Sequence, residues 1–343
     1  MTIRAFWRGL AVGAALAGTG CAFEGGAPGD AGAEGESKEQ PGTEEVGEVS
    51  SALFANEVCP AGAQCFDRTD STGSIKVRVY RCAWTAASGT PFSRCGVGSA
   101  FTLVGGGVEV EGTPQPGHLL TESWTDNGES WIGGSKHHVF GQNNRLRVYA
   151  IGIQLNNLTK AKLRPQIKLR VLTSDIHSFP AVAQAVPANE VLLSGGAVGI
   201  SLNGNGQLLI HSFPTGNTAW ASYSKEHLVA DPGMIQQVLL SMPVCPTGFS
   251  SNPFCVTRSF FFADSSSGGG YRGTTSFVPD NSWIMTGVGA ISMSNNNGIT
   301  NGGRPLTDLF PVTTANGAFA MTKDHSVADA AFTRSFVSAI RRL

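Results

Sequence analysis

Apolar residues alternate with polar ones in short runs over most of the chain, and clusters of Gly, Asn, Pro and Ser separate the runs. The segment Leu146–Ile153 is one example, with Val, Tyr and Ile among small and polar residues. Short runs of this composition, bounded by turn-forming residues, are typical of β-strands joined by turns. The pattern therefore predicts a mostly β domain.

Three copies of one pattern follow each other along the chain. Each copy has an apolar run interrupted by glycine, a second strand-like run, the motif Lys-x-His and a further strand-like run. The motif occurs as Lys136-His137-His138, Lys225-Glu226-His227 and Lys323-Asp324-His325. Self-similarity of this kind is the sequence signature of a repeat architecture. We therefore predict three repeats of about four strands each, over residues 75–155, 166–243 and 254–343.

The runs interrupted by glycine are Phe101–Gly107, Val191–Ala197 and Trp283–Gly289. Aligned with one another, they place Ser194 at the position of Thr286. Glycine inside a strand predicts a bulge or a close approach of two backbones. An aromatic residue also precedes each lysine of Lys-x-His, and we align Trp131, Trp220 and Phe319 on that basis.

Residues 328–340 fit two interpretations. The spacing of Phe332, Phe336 and Ile340 is that of an amphipathic helix. The first repeat, however, ends in the alternating run Leu146–Ile153, which favours a strand. Because equivalent segments of a repeat share their structure, we predict a strand at the C terminus.

Three such repeats favour an all-β fold with pseudo-threefold symmetry. A repeat of this kind buries one face only and needs its neighbours to complete a core. A β-prism fits these requirements best. A three-bladed toroid and tandem β-sandwich modules are alternative arrangements of the same strands.

The N-terminal segment has the features of an export signal. Arg4 and Arg8 precede a short apolar run, and small residues then lead to Cys21. We predict a signal peptide over residues 1–20. The residues around Cys21 resemble the lipobox of bacterial lipoproteins, although Gly18 stands where that motif usually has leucine. The resemblance implies that Cys21 carries a lipid anchor, and plain secretion is the alternative.

Residues 21–52 are rich in Gly, Ala, Glu and Pro, and they hold eight acidic residues against Lys38 alone. Such a composition cannot bury a core and predicts a disordered tether, which leaves residues 53–343 as the folded domain. Without the first 52 residues the net charge changes from −1 to about +4. A nucleic-acid surface needs a much denser stripe of Lys and Arg, so we expect no nucleic-acid partner.

The chain has seven cysteines, and assigning Cys21 to the lipid leaves six. In an exported protein an even number of cysteines is expected to be paired. Short spacings favour the pairs Cys59–Cys65, Cys82–Cys95 and Cys245–Cys255, although other connectivities are formally possible. The sequence has no C-x-x-C motif, which argues against a metal site made of cysteine.

Standard catalytic motifs are absent from the sequence. It has no nucleophile elbow, no H-E-x-x-H zinc motif, no P-loop and no dinucleotide fingerprint between a strand and a helix. The three glycines of 105–107 are followed by no predicted helix and therefore indicate a bulge or turn. We expect no cofactor and no bound metal.

The Lys-x-His motif supports three interpretations. Residues i and i+2 of a strand project to the same face, so each lysine would stand beside its histidine. If the repeats surround an axis, His138, His227 and His325 would offer three imidazoles to zinc. Alternatively, each repeat displays its own Lys–His pair beside an aromatic residue as a shallow sugar-binding site. The candidate ligand-binding residues are then Lys136, His138, Lys225, His227, Lys323, His325, Trp131 and Trp220.

In the third interpretation the motif belongs to the framework of the fold. Its side chains would hydrogen-bond backbone carbonyls or acidic neighbours such as Glu122 and Asp308, because buried polar groups need partners. A triplicated fold would repeat that solution three times.

The pattern Leu-Val-Gly-Gly-Gly, Leu-Leu-Thr, Trp, Ser-Lys-x-His and Val-Tyr-Ala-Ile-Gly-Ile resembles repeats of secreted bacterial proteins of unassigned activity, over most of residues 75–343. The resemblance implies export and a β repeat, and it transfers no catalytic residue. Together with Cys21 it favours a non-enzymatic lipoprotein of the outer membrane or cell surface, held to the membrane only by its lipid, whose repeats bind a glycan or another cell-surface ligand. The alternatives are a secreted hydrolase or metal-dependent enzyme, and a structural envelope protein.

Overall fold

The computed structural model describes residues 57–111, 118–137, 141–156, 158–204, 207–226, 228–249, 254–294, 304–324 and 330–343. The chain divides between Val49 and Ser50 into two units, and the described residues all belong to the second. Within them lie nineteen β-strands, one turn of α-helix (α1, Lys160–Leu163) and a 3₁₀ turn (Arg164–Gln166). The prediction of an all-β fold is confirmed.

An initial strand, β1 (Gln64–Thr69), precedes three repeats of six strands each. Repeat 1 contains β2 (Ile75–Arg81), β3 (Phe92–Gly96), β4 (Thr102–Val110), β5 (His118–Trp124), β6 (Ser130–His137) and β7 (Leu146–Leu155). Repeat 2 contains β8 (Lys168–Thr173), β9 (Ala181–Ala185), β10 (Glu190–Ser201), β11 (Leu208–Pro214), β12 (Ala219–Lys225) and β13 (Gly233–Pro243). Repeat 3 contains β14 (Val256–Asp264), β15 (Tyr271–Phe277), β16 (Ile284–Ser294), β17 (Leu306–Val312), β18 (Gly317–Lys323) and β19 (Ala331–Arg342).

Each repeat divides its strands between two of the three sheets. Sheet A has the order β1-β2-β7-β4-β17-β18-β15, sheet B the order β3-β6-β5-β10-β13-β8, and sheet C the order β14-β19-β16-β11-β12-β9. In every sheet the first, sixth and third strands of one repeat join the fourth, fifth and second strands of the preceding one. Sheet A joins repeat 3 back to repeat 1, so the ring of repeats is closed. The pseudo-threefold arrangement is confirmed, and the repeats are not separate sandwich modules.

The third strand of each repeat carries a β-bulge at an equivalent position. The register against the sixth strand shifts by one residue at Val104, Leu193 and Thr286. The alignment of Ser194 with Thr286 is therefore wrong by one residue, because Leu193 occupies that position. A bulge adds one residue and increases the local twist, which helps a strand to leave one pairing partner and reach another.

The three bulges are linked to one another by close contacts. Ser194 Oγ donates to the carbonyl oxygen of Val104 at 2.5 Å, and Thr286 Oγ1 donates to that of Leu193 at 2.7 Å. A Cβ atom on Gly105 would lie 2.2 Å from the carbonyl oxygen of Thr286. Glycine is therefore required at residue 105, since no side chain fits against that backbone.

Two further local predictions are confirmed. The C-terminal segment is the strand β19, which pairs with both β14 and β16. The disulfides are Cys59–Cys65, Cys82–Cys95 and Cys245–Cys255. They close short loops, which is the arrangement that the spacing favoured.

Candidate functional site

The lysines of the Lys-x-His motif occupy equivalent positions at the ends of the fifth strands. Lys136 pairs with Leu119 of β5, Lys225 pairs with Leu208 of β11, and the amide of Lys323 donates to the carbonyl of Pro305 before β17. The motif histidines His138, His227 and His325 lie outside the described residues. Their convergence on a metal, or their place beside the lysines, stays a prediction.

The three lysines contact groups of the domain itself. Lys136 Nζ donates to the carbonyl oxygen of Gly204 at 3.1 Å, and Lys323 Nζ donates to the hydroxyl of Tyr271 at 3.1 Å. Lys225 Nζ lies 5.4 Å from the centroid of the Phe179 ring. Burial lowers the pKa of both Lys136 and Lys323, against the opposing effect of a nearby aspartate. The contact of Lys136 is with a backbone carbonyl, as the framework interpretation predicts, whereas these contacts of Lys225 and Lys323 are with aromatic residues.

A buried hydroxyl precedes each of these lysines and lies near a second buried polar side chain. Ser135 Oγ lies 3.5 Å from His118 Nδ1, Ser224 Oγ donates to Gln207 Oε1 at 3.2 Å, and Arg304 Nε donates to Thr322 Oγ1 at 3.4 Å. His118, Gln207 and Arg304 each stand just before the fourth strand or at its start. The three pairs therefore occupy equivalent positions in the repeats, but the residue that accompanies the hydroxyl differs from one repeat to the next.

One member of each pair, His118, Gln207 or Arg304, also binds a backbone carbonyl. His118 Nε2 lies 2.6 Å from the oxygen of Gln142, Gln207 Nε2 donates to Asp231 at 2.7 Å, and Arg304 Nη2 donates to Gly270 at 3.0 Å. Buried polar groups are expected to be paired in this way. In repeats 1 and 2 the carbonyl belongs to the connection between the fifth and sixth strands, and in repeat 3 it belongs to the connection between the first and second strands.

Trp131 and Trp220 are buried, which corrects the expectation that they offer exposed stacking surfaces. Their indole nitrogens donate to Ser123 Oγ and Ser212 Oγ, each at 3.0 Å. The rings pack directly on glycine, because a Cβ on Gly106 would lie 2.3 Å from Trp131. Both tryptophans are therefore core residues.

Phe319 is not the counterpart of these tryptophans. It pairs with Phe310, as Ile132 pairs with Trp124, so the position equivalent to Trp131 belongs to Ala318. A shift of one residue moves a side chain to the other face of a sheet, and Phe319 accordingly lies half-buried on the outer face.

Repeat 3 compensates for the missing tryptophan. It has Ala318 in place of Trp220, Val288 in place of Gly195 and Leu309 in place of Ser212. A larger residue replaces the glycine, and an apolar residue replaces the serine whose hydroxyl would have no indole to bind. The three positions therefore change together.

The fourth strand of each repeat also carries a β-bulge, at Thr121, Ile210 and Thr307. A titratable side chain follows each bulge, at the junction between two repeats. Asp308 Oδ1 accepts from the amide of Val110 at 2.9 Å, and His211 Nδ1 accepts from the amide of Ser292 at 3.1 Å. Burial raises the pKa of Asp308 to about 7 and lowers the pKa of His211 to about 3. Glu122, at the same position in repeat 1, accepts from Trp124 Nε1 at 2.8 Å instead. Asp308 thus bonds the backbone rather than a motif lysine.

We use the name outer face of sheet A for one end of the sheet surface, on the side opposite Val108, Val148 and Leu309. Val108, Val148 and Leu309 point to the core, and their exposure is 2% or less. At this end of the sheet, six alternate positions of β2, β7, β4 and β17 lie on the opposite face. Arg81, Glu109, Arg147 and Phe310 are half-buried there, and Tyr149 and Asp308 are buried.

A cavity of about 300 Å³ opens at the β1 side of this face. Its polar and aromatic lining consists of Gln64, Arg81, Trp84 and Arg147, with Gly62, Cys82 and Ala83 completing the wall. We call it the Trp84 cleft. Its volume is at the lower end of the range found for small-molecule sites.

The segment that carries Trp84 is held against β7. Cys82 N donates to the carbonyl of Val148 at 3.1 Å, and Thr85 N donates to that of Leu146 at 2.9 Å. The Cys82–Cys95 disulfide fixes the same segment to β3. Trp84 therefore reaches the cleft from a supported segment.

Two guanidinium groups and one carboxylate set the charge of the cleft. Arg147 Nε donates to Glu109 Oε2 at 2.5 Å, and the hydroxyl of Tyr149 donates to the same oxygen. Burial, followed by the charge of Glu109, raises the pKa of Tyr149 and keeps that hydroxyl protonated. The Arg147 guanidinium carbon lies 4.2 Å from the centroid of the Trp84 ring, and Arg81 Nε donates to Gln64 Oε1 at 2.9 Å.

This combination suits a polar ligand that has an apolar face. An indole packs against C–H groups, while guanidinium and amide groups hydrogen-bond oxygen atoms. Trp84 lies outside the repeated pattern, so comparison of the three repeats gives no signal for it. The sequence signal that could have indicated Trp84 is its position between Cys82 and Cys95, which were predicted to pair.

Among the described residues, no three His, Cys, Asp or Glu side chains come together in a way that would hold a metal ion. No helix in the described part of the chain is long and apolar enough to span a bilayer. No family model and no curated protein sequence matches the chain.

Proposed function

We propose that the protein is a non-enzymatic, exported surface protein whose β domain binds a glycan in the Trp84 cleft. The observation that carries the proposal is the cleft itself, where an indole, two guanidinium groups and an amide surround about 300 Å³. A rigid sheet positions these groups, as ligand sites require for preorganisation. The Lys-x-His motifs then serve the framework, because Lys136 and Lys323 bond other parts of the domain.

The three disulfides indicate an oxidising environment, such as that of an exported protein. We further propose that residues 1–20 direct export, that Cys21 carries a lipid, and that residues 21–52 tether the domain to the outer membrane or cell surface. Such a tether would present the glycan site away from the membrane. Mass spectrometry of the mature N terminus tests this part, because an unmodified start at any other residue removes the lipid anchor.

A glycan array with the full-length protein tests the binding function. Three proteins should be compared: the wild type, Trp84→Ala, and the triple variant His138→Ala, His227→Ala, His325→Ala. We expect wild type and the triple variant to bind the same glycans and Trp84→Ala to lose them. Near-UV circular dichroism confirms that each variant is folded.

Two outcomes contradict the proposal. If wild type binds no glycan, the domain is better described as a structural envelope component. If the folded triple variant loses binding while Trp84→Ala retains it, the ligand lies at the motif histidines instead of the cleft.

A further inference from the structure

We infer that the ligand of the Trp84 cleft is a carboxylated sugar, such as a uronic acid residue of a glycan. This inference rests on the proposed function and specifies the class of sugar. It follows from three properties of the cleft: its charge, the donors that remain for a ligand, and its apolar wall.

The cleft has an excess of one positive charge. Arg81 pairs with Tyr149 across β2 and β7, and Arg147 lies two residues from Tyr149 on the same face. The two guanidinium groups are thus diagonal neighbours on adjacent strands. Glu109 balances one of them through its contact with Arg147. The remaining charge matches one carboxylate rather than a dianion.

The remaining donors form a planar fork. Arg147 uses Nε for Glu109, and its two terminal nitrogens make no hydrogen bond to any residue that the structure describes. Arg81 directs Nε and Nη2 to Gln64, and its Nη1 likewise has no hydrogen-bond partner in the described part of the chain. Guanidinium groups bind planar carboxylates through two parallel hydrogen bonds, which gives both strength and orientation. These donors therefore favour a carboxylate.

The apolar wall fits the rest of the sugar. Trp84 and Ala83 border the same cavity as the two arginines. A pyranose carries its carboxylate on one edge and C–H groups on its faces, so a ring packed on this wall can still reach the guanidinium groups. The small volume limits the site to a short part of a chain.

Repeat 3 supplies a matched control. Arg334 occupies the position of Arg147, lies 4.2 Å from the Phe262 ring centroid and donates to Asp264 at 2.6 Å. Phe262, however, takes the position of Arg81. Arg334→Met therefore removes an equally stacked and paired arginine without touching the cleft.

The test is isothermal titration calorimetry on the full-length protein with oligogalacturonate, its methyl ester, a sulfated galactan and a neutral galactan. We expect oligogalacturonate to bind, the ester and neutral chain to bind at least about tenfold more weakly, and affinity to fall with salt. Arg81→Met and Arg147→Met should each weaken binding by about tenfold or more, as expected for a charged hydrogen bond. Arg334→Met should leave it unchanged.

The possible failures separate the two proposals. Equal binding of the ester and the acid, or a preference for the sulfated chain, overturns the carboxylate assignment. Binding of the neutral galactan alone, lost in Trp84→Ala, also overturns it but supports a glycan site in the cleft. If neither this panel nor the array shows binding, both proposals fail.

Discussion

The outer faces of sheets A and C follow one strand plan but carry different chemistry. In sheet A the six equivalent positions hold Arg81, Tyr149, Glu109, Arg147, Asp308 and Phe310. In sheet C they hold Phe262, Phe336, Ile291, Arg334, His211 and Phe213. The first set lies beside a polar cleft, and in the second set Phe262, Phe336 and Phe213 form a continuous row of aromatic rings.

Ring packing explains much of this difference. In sheet C, Phe262 lies 5.9 Å from Phe336, which lies 5.8 Å from Phe213. In sheet A only the inner pair is kept, with Tyr149 stacked 5.4 Å from Phe310. At the equivalent position, Phe262 extends the row of rings in sheet C, whereas Arg81 contributes to a polar site in sheet A. The repeat thus preserves a framework, and single positions on its outer faces determine what each sheet can bind.

The largest expected effect comes from breaking the framework that both faces share. Gly105→Val would place side-chain atoms against the carbonyl of Thr286, where even a Cβ lies at 2.2 Å. We expect a loss of about 5 kcal/mol or more, or no folded protein, because neither backbone can yield. Urea denaturation measures this loss. Gly141→Ala, with no atom within 4 Å of a new Cβ, is the control and should change stability by less than about 1 kcal/mol.

The second largest effect is expected where Trp220 packs on Gly195 in the core of repeat 2. Trp220→Ala should cost about 4 kcal/mol, since it leaves a cavity on Gly195. Adding Gly195→Val recreates the pair Val288 and Ala318 of repeat 3, so the double variant should recover about 1 kcal/mol or more. Thermal and urea denaturation report the coupling. Strictly additive losses would contradict the proposed equivalence of the repeats.

The third effect is an opposite pH dependence at equivalent positions of sheets A and C. Asp308 has a folded pKa of about 7 against its usual 3.8, so the folded state binds the proton more tightly, and this contribution to stability is lost as pH rises from 4 to 7. His211 has a folded pKa of about 3 against 6.5, so its contribution is present above pH 6.5 and lost as pH falls towards 3.

Substitutions should separate these two contributions. As pH rises from 4 to 7, the free energy of unfolding of Asp308→Asn should increase on the order of 2 kcal/mol relative to that of wild type. The free energy of unfolding of His211→Gln should decrease by a similar amount relative to that of wild type. Free energies of unfolding measured across this range test the signs. Profiles parallel to that of wild type would show that neither side chain titrates as described.

The smallest expected effect tests whether the two stacked arginines contribute differently to the stability of the protein or only to ligand binding. Arg147→Met and Arg334→Met should each destabilise the protein by less than about 1 kcal/mol, because partly exposed ion pairs contribute little. Melting temperatures should therefore be similar. A much larger loss for Arg147→Met would mean that its effect on binding reports damage to the fold.

The parts of the fold that repetition and local pattern encode could be predicted. Alternating apolar runs indicated the strands, and comparison between repeats correctly favoured a strand over a helix for β19. Short cysteine spacings led to the correct pairs. These signals depend on nearby residues or on direct comparison of copies.

Features that depend on register or distant pairing could not be predicted. The short strand β9 (Ala181–Ala185) has little β-forming composition, and its identity comes from pairing with β12. The equivalence of Leu193 with Thr286 comes from the strand register, which no local pattern reveals. The position of Phe319, by contrast, could have been corrected from spacing, because Trp131 and Trp220 stand five residues before their lysines and Phe319 stands four. The cleft joins Gln64, Arg81 and Arg147 from three strands, so it exists only after the sheet has formed.

A ¹H–¹⁵N spectrum of the tryptophan indole groups during titration with oligogalacturonate tests most directly whether the ligand binds in the Trp84 cleft. The chain has six tryptophans, and Trp84→Phe assigns the relevant signal. Binding in the cleft predicts that the Trp84 indole shifts and saturates at one ligand per protein, while the buried Trp131 and Trp220 signals stay in place. A saturating shift of other indoles with an unchanged Trp84 signal would contradict the assignment of the site to sheet A.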